Sequence, residues 1–386
     1  MAIAQAGNNG GSAESGGGPY RVMVVDDSAV VRGLITKTIE SDKEIEVVRS
    51  VGNGKLAVDS IGQNGIEIVI LDIEMPVMDG LTALPEILKI DPSIRVIIAS
   101  TLTLRNADIS MRALELGAAD YIPKPTTREL SSGYDFKSEL INKIKAHGMA
   151  MRGKTKRPAV TPREEKKIST VASSTSKSYQ MSDVKLRPIP AVFSPQILAI
   201  GSSTGGPQAL FKFFGALDPN FNLPIVVTQH MPPTFTRILA EHISKVTSLT
   251  ASEATSGDRL EPGHIYVAPG DHHMIIRAEA GAKVIGLNQD PPENFCRPAV
   301  DPMFRSLVKV YGEKILCLVF TGMGTDGSRG AKEIVTAGGV AIAQDEATSV
   351  VWGMPGATAV SGICSEVLPL DDMAPYVNKL ALRTAA

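Results

Sequence analysis

Cysteine is scarce in this chain: Cys296, Cys317 and Cys364 stand at wide, irregular spacing in 386 residues. That spacing fits neither a disulfide framework nor a zinc cluster, and it leaves the reduced thiols expected of a cytoplasmic protein. Long apolar runs are missing too. None approaches the ~18–20 residues needed to span a bilayer, so no direct membrane insertion is expected. Charge bias is also absent. The formal net charge is −2, which gives no general pull toward nucleic acid or an anionic surface. The N-terminus lacks a cationic segment followed by an apolar one. Residues 1–19 are rich in Gly, Ala, Ser and Asn and read as a disordered tail, not a signal peptide.

What remains is an ordinary globular composition, 43% hydrophobic and 21% charged, in a chain long enough for two or three cores. Charge divides it. Residues 1–150 hold 15 Lys/Arg against 20 Asp/Glu, residues 151–190 hold 10 against 3, and residues 191–386 hold 14 against 18. The basic stretch, with Lys154-Thr155-Lys156-Arg157-Pro158 and Ser173-Ser174-Thr175-Ser176, has too few large apolar residues to offset its ordering entropy. Residues 151–194 are therefore expected to form a flexible linker, with a reach of roughly 35 Å.

On either side, short β-rich runs alternate with helical patterns, which predicts parallel sheets with crossover helices. The first domain, 20–150, has strand-like runs at 20–25, 45–51, 66–71, 95–99 and 119–122. Helices are expected near 28–40, 54–63, 80–90, 105–117 and 135–147. The second, 195–386, has strand-like runs at 196–200, 224–228, 314–320 and 339–343. Its turn-rich middle, 257–289, is expected to be an antiparallel β excursion. The fold class is thus α/β, with two doubly wound domains: a flavodoxin-like sheet, then a Rossmann-like hydrolase sheet.

In the first domain, polar residues gather where strands end. Asp26 and Asp27 follow Val24-Val25, Asp72 follows Val69-Ile70-Leu71, Ser100 follows Ala99, and Lys124 follows Tyr121-Ile122-Pro123. Carboxyl ends of neighbouring parallel strands share one crevice. A single Asp at such a junction is usually a helix cap. Three clustered carboxylates instead suit a hard divalent cation such as Mg²⁺, and a carboxylate beside metal, lysine and hydroxyl suits phosphoryl acceptance.

In the second domain, Gly201-Ser202-Ser203-Thr204-Gly205 fits G-x-S-x-G between a strand and a helical pattern, the setting of a nucleophile elbow with Ser203 at its tip. His230 ends the next strand and is placed to act as base. Asp326, in the glycine loop Gly322-Met323-Gly324-Thr325-Asp326-Gly327, is placed to orient it, and the backbone near Met323 to meet an oxyanion. The same loop fits G-x-G-x-x-G with Asp345 about twenty residues on, a dinucleotide fingerprint. Against that, Asp326 would repel a pyrophosphate at the helix N-terminus.

Taken together, residues 20–148 resemble the response-regulator receiver family. The segments Gly-Ser-Ser-Thr-Gly-Gly-Pro, Thr-Gln-His-Met-Pro-Pro, Tyr-Val-Ala-Pro-Gly-Asp-His-His, Arg-Pro-Ala-Val-Asp and Thr-Gly-Met-Gly-Thr-Asp-Gly, in this order, resemble the chemotaxis protein-glutamate methylesterases over roughly 195–382. The resemblance implies Asp72 as the phosphorylated residue, Asp26, Asp27 and Asp72 around Mg²⁺, and Ser100, Lys124 and Tyr121 as phosphoryl sensors. It implies Ser203, His230 and Asp326 as catalytic residues with Met323 at the oxyanion, and no cofactor for the hydrolase. The implied activity is hydrolysis of glutamyl γ-methyl esters on the cytoplasmic signalling helices of chemoreceptors, releasing methanol, together with deamidation of receptor glutamines. A chemotaxis histidine kinase is the implied phosphodonor, and recruitment to receptor arrays the implied location. Phe295-Cys296 is a departure, in a loop placed to touch substrate. Two other outputs fit less well. A DNA-binding output would need a basic helix-turn-helix, which the acidic, glycine-rich second domain does not offer. A docking module without catalysis would leave the three polar strand ends unexplained.

Overall fold

A computed structural model describes residues 18–63, 65–101, 103–124, 135–155, 179 and 181–382. The first sheet contains β1 (Tyr20–Val25), β2 (Ile45–Val51), β3 (Ile68–Asp72), β4 (Arg95–Ser100) and β5 (Asp120–Pro123), ordered β2-β1-β3-β4-β5 and parallel throughout. This is the flavodoxin-like order. Around it lie α1 (Ala29–Ile39), α2 (Gly54–Ser60), α3 (Gly80–Ile90), α4 (Leu104–Glu115) and α5 (Asp135–Thr155). Every residue of β3 is buried, because helices cover both faces of a parallel sheet. Ser28, Asn53, Asp79 and Thr103 cap α1 to α4 through their side chains, so Asp79 is a cap whereas Asp26 and Asp72 are free for other work.

The second sheet has seven parallel strands in the order β14-β13-β12-β6-β7-β9-β8. They are β6 (Ile197–Ser202), β7 (Ile225–Gln229), β8 (Thr250–Glu253), β9 (His264–Val267), β12 (Ile315–Val319), β13 (Val340–Gln344) and β14 (Cys364–Leu368). Its helices are α6 (Gly206–Gly215), α7 (Phe235–Val246), α8 (Val300–Tyr311), α9 (Ser328–Thr336), α10 (Met354–Val360) and α11 (Leu370–Leu382). The chain leaves β6 toward β7 on one side and later returns to pair β12 on the other. The carboxyl ends of β6 and β12 therefore flank a topological switch point, where α/β sheets open a crevice.

The antiparallel excursion is narrower than the turn signals over 257–289 suggest. Among the described residues, β10 (His273–Glu279) and β11 (Ala282–Asn288) pair antiparallel, and Arg259 adds an isolated antiparallel bridge to Val284. Within the same stretch, β9 joins the parallel sheet beside β7, because Ile265 and Val267 fill its core and pair with Ile225 and Val227.

Around the expected linker, α5 continues past residue 150. Arg152 donates to Glu67 at 2.6 and 2.7 Å and to the carbonyls of Gly18 and Pro19, tying the helix end to the first domain. At the other end, Arg187 N–H donates to Cys364 O, and Ile189 and Phe193 pack on the core. Residues 156–178 and 1–17 lie outside the described residues. No helix among the described residues is long and apolar enough to cross a membrane.

Candidate active site and phosphoacceptor crevice

Asp26 and Asp72 are buried at the ends of β1 and β3, and Asp27 is exposed beside them. One oxygen from each of the three lies within 4.8 Å of the others. Lys124 reaches in from β5, its ammonium 2.7 Å from Asp26 Oδ2 and 2.8 Å from Asp72 Oδ1. Burial opposes the lysine's charge, but bonds to the two carboxylates outweigh it and raise its pKa. For Asp72, burial wins over Lys124, and its pKa is raised. Three hard oxygen donors at this spacing fit Mg²⁺.

The other two expected phosphoryl sensors sit differently. The Ser100 hydroxyl donates to Thr101 O at 3.3 Å and lies 3.0 Å from Ser110 Oγ, so its bonds are on the α4 side and not with Asp72. Tyr121 is buried, with its ring stacked on Phe235 of the second domain.

In the second domain, β6 ends in the elbow. Ser203 N–H donates to Thr321 O, and its carbonyl accepts from Gly206 N–H at 2.7 Å and from Gln229 Nε2 at 2.9 Å. Gly205 has φ +75°, a conformation glycine adopts without steric cost. A Cβ on Gly206 would lie 2.0 Å from Gln229 Oε1. The two serines separate clearly. Ser202 is fully buried and donates to Gln229 Oε1 at 2.7 Å, whereas Ser203 is half-buried at the crevice.

His230 is held by its backbone N–H to Ser202 O, which sets it beside the elbow. Its Nε2 lies 2.7 Å from Asp326 Oδ2. Asp326 is fully buried. Its Oδ1 accepts from Asn294 Nδ2, Gly327 N–H and Asp301 N–H, and its Oδ2 from Val300 N–H at 2.6 Å. Two of these donors are the first N–H groups of α8, where the helix dipole favours an anion. Burial opposes ionisation of Asp326, but His230 and the backbone N–H groups overcome it and lower its pKa. With Nε2–H given to Asp326, Nδ1 is the nitrogen left to act as base.

That nitrogen faces Cys296, whose sulfur is 3.3 Å away. Among the described residues no hydrogen bond joins Ser203 Oγ to His230, whereas His230 and Asp326 are joined. Burial works against charge on the ring, but Cys296 and Asp326 together raise the pKa of His230. Cys296, Asn294 and Asp301 were not singled out for this role by sequence. The usable signal was their position in and just before Arg-Pro-Ala-Val-Asp. Asp301 is fully buried, accepts from Gly330 N–H at 2.7 Å and lies against Asn294 Nδ2. Burial, then the charge of Asp326, raise its pKa to about 6.

The Met323 loop passes directly over the elbow. A Cβ on Gly322 would come within 2.8 Å of Ser203 Cβ. Met323 N–H has no protein acceptor among the described residues, as an oxyanion donor requires. The dinucleotide alternative loses its acidic partner. Asp345 is spent locally, accepting from Thr348 N–H and its hydroxyl, and Asp326 is committed to His230.

Comparisons agree with this architecture. The response regulator receiver domain model matches residues 22–132, and the CheB methylesterase model matches 198–377. A protein-glutamate methylesterase/protein-glutamine glutaminase of Azospirillum brasilense is 55% identical over 99% of this chain and 97% of its own. Relatives bearing the same name with the numeral 1 come from Rhodospirillum rubrum, at 56% identity over 95% and 96% of the two chains, and from Paramagnetospirillum magneticum, at 55% over 94% and 96%. Identity at this level across both domains shows that the chain belongs to the protein-glutamate methylesterase/protein-glutamine glutaminase family.

Proposed function

We propose that this chain hydrolyses glutamyl γ-methyl esters of chemoreceptors and deamidates receptor glutamines, under control of phosphorylation at Asp72. The observation that carries the reading is the buried, five-fold hydrogen-bonded Asp326 holding His230 at the switch point beside the Ser203 elbow. Ser203 Oγ attacks the ester carbonyl and its proton passes to His230 Nδ1, once the Cys296 side chain swings aside. The tetrahedral oxyanion faces Met323 N–H. Methanol leaves with the proton from the imidazolium that Asp326 stabilises, and water then releases the glutamate by the same route. With a glutamine substrate, ammonia leaves in place of methanol.

In the receiver, Asp26, Asp27 and Asp72 would hold Mg²⁺, which supplies charge neutralisation for the incoming phosphoryl group. Lys124 would pair with that group, and Ser100 and Tyr121 would respond to it. The phosphodonor is a chemotaxis histidine kinase, the substrate segment a cytoplasmic receptor helix, and the place of work the receptor array. The test is methanol release from methylated receptor membranes, with and without a small-molecule phosphodonor, for wild type and Asp72→Asn. Phosphodonor should stimulate only the wild type. Phosphate recovered mainly on Asp26, Asp27 or a serine would refute the acceptor assignment.

A further inference from the structure

Phe295 is 93% exposed, and with Met323 at 37% it makes up the exposed large apolar side chains among the described residues of the second domain. Both stand on loops that deliver groups to the active site. A lone exposed apolar residue usually needs no explanation, but this one is held at a conformational cost. Glu293 and Cys296 exchange both backbone hydrogen bonds, at 3.1 and 3.0 Å, around Asn294 at φ +53° and Phe295 at φ +64°. Two central residues with positive φ make a tight two-residue hairpin turn of the kind that prefers Asn followed by Gly. Asn294 suits its position. Phe295 occupies the position where glycine would be relaxed, and a bulky side chain there is strained.

The turn is also rigidly fixed. Glu293 pairs with Arg305 through two bonds of 2.6 Å. Asn294 donates to Asp326 at 2.8 Å, and Cys296 meets His230 at 3.3 Å. The phenyl ring is therefore presented to solvent by the same turn that braces His230 and the Asp326 that orients it.

We propose that Phe295 is a specificity-determining residue that seats against an apolar side chain of the receptor helix beside the scissile glutamyl ester. The inference rests on the receptor as substrate. A helical substrate offers apolar neighbours one turn from the reacting side chain, and an aromatic ring brings large contact area at small entropic cost. A small soluble ester reaches Ser203 without touching the ring.

The test compares kcat/KM of phosphodonor-activated full-length protein on methylated receptor membranes and on p-nitrophenyl acetate. Phe295→Ala should lower the receptor value at least about tenfold more than the small-ester value, mainly through KM. Phe295→Leu should restore most of the loss. Phe295→Gly should match Ala on receptor while raising the thermal midpoint, because glycine relieves the turn. Equal losses on both substrates, or unchanged receptor turnover in Phe295→Ala, would overturn the proposal. Failure of the wild type itself to release methanol from receptor would instead overturn the reading beneath it.

Discussion

The ring of Tyr121 lies flat on the ring of Phe235, with centroids 4.7 Å apart and planes inclined by 13°. Tyr121 belongs to the last receiver strand, and Phe235 opens α7, the helix that follows His230. Farther along α7, buried His242 directs Nδ1 at Glu115 and Nε2 at Asp108 of α4, at 2.7 and 2.9 Å. Gln208, on the helix that follows Ser203, donates to the carbonyls of Ala118 and Ala119. The receiver thus grips the two helices that begin just after Ser203 and His230. Lys124, which meets Asp72, is three residues from Tyr121 on the same strand end. A change at Asp72 has a short path to the hydrolase.

Removing the receiver's half of this grip should release the enzyme. In the double variant Asp108→Ala/Glu115→Ala, docking would bury His242 without its two acceptors, which penalises the docked form. The carboxylates are 42% and 38% exposed, so screening keeps the effect moderate. Methanol release without phosphodonor should rise a few-fold, and stimulation by phosphodonor should shrink. A basal rate that falls while stimulation persists would show the receiver recruiting substrate, not covering the site.

Ser203→Ala should lose ester hydrolysis by several orders of magnitude while leaving Asp72 phosphorylation intact. Ser202→Ala should keep activity but cost about 1–3 kcal/mol of stability, since Gln229 Oε1 loses its buried donor. Purified Ser203→Ala with substantial turnover would sink the serine mechanism.

Cys296→Ala tests the thiol at His230. Cys296 is among the groups that raise the pKa of His230, and the base works only when neutral. Removing the sulfur should therefore move the acid limb of the kcat/KM profile to lower pH and leave Ser203-dependent turnover in place. Complete loss of activity in Cys296→Ala, with an intact fold, would make the cysteine the nucleophile.

Much of this was legible in the sequence because parallel strands end in one crevice. Apolar runs stop at Asp26, Asp72 and Ser202–Ser203, at Gln229–His230, and just short of the Asp326 loop. A strand-end polar residue in such a sheet has one place to go. What stayed hidden depends on convergence between distant segments. Cys296 meets His230 Nδ1 only because the Glu293–Cys296 turn folds over His230, 66 residues away in sequence. The His242–Asp108 contact spans 134 residues and two domains, and neither residue carries a local signal. β9 was misread because turn density says nothing about which neighbour a short strand pairs with.

Asp301 gives a pH-dependent prediction whose sign is fixed by its environment. Its folded-state pKa, raised to about 6 by burial and by Asp326, lies above the ordinary value of 3.8. The folded protein therefore binds this proton more tightly than the unfolded chain does. The resulting stabilisation is full below about pH 3.8 and disappears as pH rises through about 6, leaving a buried anion at neutral pH. Asp301→Asn keeps an oxygen for Gly330 N–H and removes that anion, which is worth up to about 3 kcal/mol. Its new NH₂ faces Asn294 Nδ2 and takes back part of the gain. Above pH 6.5 the variant should thus melt at a higher temperature than wild type, and the gap should close or reverse toward pH 4.5. Thermal midpoints of the catalytic-domain transition from pH 4.5 to 8 provide the measurement. Two curves running parallel across that range would mean that Asp301 is ionised throughout and that its carboxylate is fully stabilised by Gly330 and Asn294.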